Sequence, residues 1–149
     1  MGQQARLHYL QIIKFIDAYL VFPFKMDSFK RQQKGKQAEL DACRFLQANG
    51  LRLLQQNFNC HYGEIDLIMQ DQDDIVFVEV RYRCRTDYGN ALESVNNRKI
   101  NKLIKTAKHF LQMKTWLYKI NSRFDVIAIH PVAGKMQLEW IKNAFLVDL

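Results

Sequence analysis

At 149 residues, with 48% hydrophobic and 25% charged residues, the chain has the size and composition of one globular domain rather than a disordered or fibrous protein. Its three cysteines, Cys43, Cys60 and Cys84, show no CxxC spacing, which argues against a disulfide scaffold or a zinc site and for a reducing compartment, the cytoplasm. A formal net charge of +7 suits an anionic partner, nucleic acid or membrane surface, and equally suits plain solubility.

The first segment, "LHYLQIIKFIDAYLVFPF" at residues 7–24, is apolar but broken by Lys14 and Asp17. It falls short of the run of about 20 residues that a spanning helix needs. It also lacks the basic start and small-residue cleavage site of a signal peptide. Residues 1–30 are therefore expected to form an amphipathic N-terminal extension, and residues 31–149 the domain proper. A helix packed on the domain or on a second copy, membrane-surface attachment, and an upstream extension before a natural start at Met26 all remain open.

"KGKQAELDACRFLQANG" places Ala38, Ala42, Phe45 and Leu46 on one stripe and ends in Asn49-Gly50, a helix stop. "LRLLQQNF" reads as a strand. "GEIDLIMQ" and "IVFVEVRYRCR", joined by "DQDD", read as a hairpin. After "TDYGNALESVNN", residues 96–117 have the longest helical period, with Ile100, Leu103, Ile104, Ala107, Phe110, Leu111 and Met113 on the inner stripe. "RFDVIAIH" is a further strand, "MQLEWI" a short last one, and "IKNAFLV" a terminal helical turn or two. The expectation is an α/β fold, a mixed sheet with helices against it.

Strand alternation puts Glu64, Asp66 and Ile68 on one face of the first hairpin strand. Phe77, Glu79, Arg81, Arg83 and Arg85 share one face of the second. The hairpin brings Asp66 beside Glu79. Paired carboxylates repel unless a cation lies between them, and oxygen-only ligands suit Mg²⁺ or Mn²⁺ better than zinc. The plainer alternative is a Glu79–Arg81 ion pair on a half-exposed face. Glu39, on the first helix, joins the group only if that helix crosses the sheet there. His61 and His130 lack partners at metal-motif spacing, and His8 and His109 are less informative still.

The stretches "GKQAELDA", "LRLLQQNF", "GEIDLI", "VFVEVRYR", Gly89, "NNRKINKLIKTAKHFL" and "RFDVIA" resemble the YraN-like family of uncharacterised bacterial proteins, over about residues 35–147. That family looks like a member of the PD-(D/E)XK nuclease-like superfamily and is similar to archaeal Holliday-junction resolvases. The resemblance implies a restriction-endonuclease-like fold, a central mixed sheet of αβββαβ order flanked by helices. It places Asp66 and Glu79 at the metal site, Glu39 as an additional helical ligand, and Arg81 where the family pattern of the superfamily has lysine. An arginine side chain is a permanent cation, so this position suits phosphate binding and not proton abstraction.

From Ser94 to Phe124 there are eight Lys or Arg and no Asp or Glu. Lys99, Lys102 and Lys105 recur near one side of the helix, and Arg83 and Arg85 extend the positive charge along the strand. Such a surface fits phosphate contacts, although a solvated helix face explains it as well. The expectation is a nucleic-acid-binding protein of nuclease fold, acting on DNA as a Mg²⁺- or Mn²⁺-dependent endonuclease with Glu39, Asp66, Glu79 and Arg81 in the site. A homodimer would present paired sites to a junction. The alternatives are a catalytically inactive nucleic-acid-binding module and a protein-interaction scaffold.

Overall fold

The computed structural model of the protein describes residues 28–82, 96–132 and 135–145. Helix α1 (Ser28–Ala48) is followed by strands β1 (Arg52–Cys60), β2 (Gly63–Asp71) and β3 (Asp74–Tyr82), then helix α2 (Asn96–Met113), and finally β4 (Ser122–Val132) and β5 (Lys135–Phe145). The five strands form one sheet in the order β1-β2-β3-β4-β5. The β3–β4 pair is parallel and the other three pairs are antiparallel. This is the mixed α/β sheet of αβββαβ order, carrying one further strand at its edge.

Each helix covers one face. Ala38, Ala42 and Leu46 of α1 pack on Leu67, Met69, Val76, Val78 and Ile127. Ile100, Leu103, Ala107 and Phe110 of α2 pack on Phe58, Ile65, Ile68, Phe77 and Val126 from the other side. Full burial of each large apolar side chain contributes about 1.5–3 kcal/mol, so two such layers account for why the sheet needs both helices. The first helix stops where the sequence indicates: Gly50 takes φ +94°, and Leu51 N–H donates to Leu46 O.

Three expectations need correction. The second helix ends at Met113, not near residue 117, because Thr115 is left-handed and Trp116 N–H turns back to Leu111 O. Met113 is exposed instead of belonging to the inner stripe. The segment "IKNAF" is strand, not helix. Asn143 stands there at φ +50°, opposite a register shift between Phe124 and Val126, and this bulge hides the two-residue period of β5.

The expectations for residues 7–24 fall outside the described residues, as do those for Arg83, Arg85, Cys84 and Gly89. Among the described residues, no helix is long and apolar enough to cross a membrane.

Candidate metal centre and nucleic-acid interface

The site follows from a break in the sheet. The β2–β3 ladder runs from Asp71–Asp74 to Leu67–Val78 and goes no further. Strand β3 nevertheless stays paired with β4 as far as Tyr82–Ile129. The N–H of Val80 therefore lacks a β2 carbonyl and donates to Asp66 Oδ2 at 2.7 Å. Asp66 occupies the opening between the two strands.

Strict alternation fails at this point. Ile65 and Ile68 both pack beneath α2, whereas Leu67 and Met69 pack beneath α1. The expected common face for Glu64, Asp66 and Ile68 is therefore not kept along β2. On the neighbouring strand Gln56 pairs with Leu67 and Phe58 with Ile65, which sets Asn57 beside Asp66. Asn57 is left-handed, with φ +49°, a conformation asparagine tolerates better than other side-chain-bearing residues. The two kinked positions lie side by side.

Four carboxylates gather around the opening. The Glu39 carboxyl is pushed upward by its burial and by the charges of Glu64 and Glu79, while a hydrogen bond from the Asn57 side chain opposes that shift. Asp66 is half-buried, and burial followed by the charge of Glu79 raises it from 3.8 to about 7; the Val80 hydrogen bond and Lys99 act in the other direction. Glu79 is buried, at 8% exposure, directly after the core residues Ile75, Val76, Phe77 and Val78 of the same strand. Glu64 is exposed at the rim.

Cations answer them. Glu79 Oε1 receives Lys99 Nζ at 2.5 Å and Arg81 Nη2 at 3.2 Å. Lys36 lies close enough to Glu39 to favour its ionised form. The structure thus brings together Glu39, Asp66, Glu79 and Arg81, with Lys99 added from α2. The sequence reading assigned Lys99 to a basic surface; its side chain reaches inward while remaining 40% exposed. Lys102 and Lys105 stay on the exposed side of α2 with Arg98. Tyr82 packs against the α1-side core.

The donors at the opening are hard carboxylate oxygens. Their mutual repulsion and the raised Asp66 and Glu39 carboxyls are what a divalent cation would relieve, so the residues present fit Mg²⁺ or Mn²⁺. A second group has different chemistry. Cys60, His61 and His109 place their ligand atoms within 4.8 Å of one another, a cluster capable of chelating a divalent metal. The spacing of these residues gave no sign of it, because His109 arrives through the packing of α2.

The RFDVIA stretch finds a structural explanation. Asp125 is buried at 1% exposure and accepts from Arg123 Nε (3.1 Å), Trp140 Nε1 (3.0 Å) and Asn143 N (3.0 Å). Arg123 also reaches Asp71 at 2.7 Å. Burial works against the Arg123 charge, but Asp71 and Asp125 outweigh it and raise its pKa.

Comparison with known proteins adds a family. The model of the uncharacterised protein family UPF0102 matches residues 38–129. The UPF0102 protein of Nitrosococcus oceani is 44% identical over 117 residues, covering 78% of this chain and 94% of the relative. That of Pseudomonas syringae pv. syringae is 50% identical over 121 residues, covering 80% and 98%. That of Stutzerimonas stutzeri is 51% identical over 114 residues, covering 76% and 95%.

Proposed function

The chain belongs to the uncharacterised protein family UPF0102, and from its geometry we propose a nucleic-acid-binding protein of nuclease fold that cleaves phosphodiester bonds in structured DNA with Mg²⁺ or Mn²⁺. The observation that carries this reading is the half-buried Asp66 in the gap between β2 and β3, with Glu79 and Glu39 near enough to act on its charge. A purely structural ion pair between Glu79 and Arg81 would need neither the strand separation nor the additional carboxylates. The likeness to PD-(D/E)XK nucleases and to junction resolvases is part of the same proposal.

In this reading Asp66 and Glu79 hold the metal, and Glu39 supports it from α1. When bound, the metal supplies Lewis acidity toward the phosphate and lowers the pKa of a water. Arg81 brings a guanidinium whose forked donors suit a phosphate oxygen. Lys99 and Arg81 neutralise Glu79 in the free protein. An arriving phosphate would offer both cations a new partner and release Glu79 to the metal. Asn57 fixes the Glu39 carboxylate, and Lys102 and Lys105 extend positive charge along α2 for backbone contacts.

Calorimetric titration with Mn²⁺ tests the metal assignment. Wild type should bind with an affinity that rises with pH through about 7, as Asp66 loses its proton. The Asp66→Asn/Glu79→Gln double variant should lose at least tenfold in affinity. Unchanged binding in the folded double variant would refute the carboxylate site. If that variant still bound DNA at low salt while wild type neither bound Mn²⁺ nor cleaved, the inactive binding module would be the correct reading.

A further inference from the structure

The β1–β2 hairpin turns through His61 and Tyr62, between the paired residues Cys60 and Gly63. Its end lies against α2. A Cβ on Gly63 would come within 3.2 Å of Thr106 Oγ1 and 3.6 Å of Lys102 Cβ, so no larger residue fits without displacement. This contact holds the turn beside His109. The His61 and His109 ring centroids are 5.4 Å apart at 75°, and the His61 and Tyr62 rings are 3.8 Å apart. Cys60 packs at the border of the α2-side core, and Phe58 lies against His109 at 6.5 Å.

We propose that Cys60, His61 and His109 form a binding site for a borderline transition-metal ion of the Zn²⁺ class, joining the hairpin to α2. One thiolate and two imidazoles are a donor set that selects Zn²⁺ or Co²⁺ over Mg²⁺ or Ca²⁺. The carboxylate cluster has the opposite preference, and the two sites share no residue. A tetrahedral ion with Zn–S about 2.3 Å and Zn–N about 2.0–2.1 Å sets its ligands roughly 3.3–3.6 Å apart. The donors already lie within 4.8 Å. Closure by about an ångström completes the site, taking the 4.8 Å limit against that ligand spacing. His61 is exposed and can rotate to provide it, while Cys60 is held by the core and His109 by the helix. Three protein ligands leave a fourth position for water or an exogenous ligand.

Binding releases the Cys60 thiol proton and ties β1 and β2 to the helix that carries Lys99. Such an ion would therefore brace the opening without touching its carboxylates. The metal would bind the folded chain in preference to the unfolded one and raise its melting temperature.

Co²⁺ added to the reduced, full-length protein tests this directly. Wild type should show one equivalent of thiolate-bound Co²⁺, with a thiolate-to-Co²⁺ band in the near ultraviolet and four-coordinate bands in the visible, both displaced by Zn²⁺. The thiolate band should vanish in Cys60→Ser, and His109→Gln should weaken binding at least tenfold. His61→Gln, on the exposed turn, should do the same with little risk to folding. Cys43→Ser/Cys84→Ser should keep the band, which assigns it to Cys60. Asp66→Asn/Glu79→Gln should keep it too, so a failed carboxylate reading leaves this outcome intact. Absence of a thiolate band in folded wild type would overturn the proposal, as would its persistence in Cys60→Ser or unchanged affinity in His61→Gln.

Discussion

Burial, and after it the charge of Glu79, lift the Asp66 carboxyl from 3.8 to about 7, so the group titrates near neutrality. Its folded pKa lies above the unfolded one, so between those values the folded state holds the additional proton. Stability is therefore highest below about 4 as far as this group is concerned, falls as pH rises, and levels off above about 7. In metal-free protein, Asp66→Asn should raise unfolding free energy at pH 8 by about 1–3 kcal/mol, discounted for partial exposure, and by much less at pH 4. Urea unfolding at the two pH values measures the difference. Equal effects at both would mean that Asp66 ionises normally. Arg81 invites a second comparison at this scale. Arg81→Ala should weaken DNA binding about ten- to a hundredfold, the range of a hydrogen bond to a charged group, while Arg81→Lys retains most of it. Filter binding at fixed ionic strength reads both, and unchanged affinity in Arg81→Ala would remove the phosphate contact from the account.

Among the elements, β1 and β2 depart from ideal strands at the same level, and the sheet opens there as a result. Asn57 supplies the left-handed turn of β1, and its side chain reaches Glu39. Asn57→Ala should cost about 1–2 kcal/mol, since alanine must adopt the left-handed region without a compensating hydrogen bond. Asn57→Gly should cost less stability, because only the hydrogen bond is lost, yet weaken Mn²⁺ binding comparably. Chemical denaturation and calorimetry distinguish these effects, and equal stability losses would show that the backbone strain is unimportant. Asp125 anchors the second irregularity, the β4–β5 bulge. Asp125→Ala should destabilise by about 3–5 kcal/mol, because it leaves Arg123, Trp140 and the Asn143 N–H short of a buried acceptor. These irregularities mark where sequence reasoning stopped. The approach of Asp66 to Glu79 was legible from hairpin pairing, and the two helix stripes from their period. The kink at Asn57 and Asp66 was not, since alternation presumes an unbroken strand. The inward reach of Lys99 was also hidden: helical period gives a direction around the axis but not which neighbour a long side chain meets.

Across the whole molecule the positive charge is unevenly placed. The stretch from Ser94 to Phe124 carries eight Lys or Arg without an acidic residue, while acidic groups cluster at the sheet opening and the β2–β3 turn. Arg98, Lys102 and Lys105 are exposed along α2, the same helix that brings Lys99 to the site. Neutralising Lys102 and Lys105 together should reduce the slope of log affinity against log salt by about 2 for duplex DNA, at roughly 0.9 per phosphate contact. It should leave Mn²⁺ binding unaltered. An unchanged slope would place nucleic acid on another face. The central claim is a metal-dependent phosphodiesterase site built around Asp66, and cleavage of a panel of duplex, flap and four-way-junction DNA tests it most directly. Purified wild type should nick at least one branched substrate in Mg²⁺ or Mn²⁺ and be silent in chelator, while an identically purified Asp66→Asn protein binds the same substrate without cutting it. Cleavage that persists undiminished in Asp66→Asn, or no cleavage of any substrate by a wild type that binds them, would contradict it.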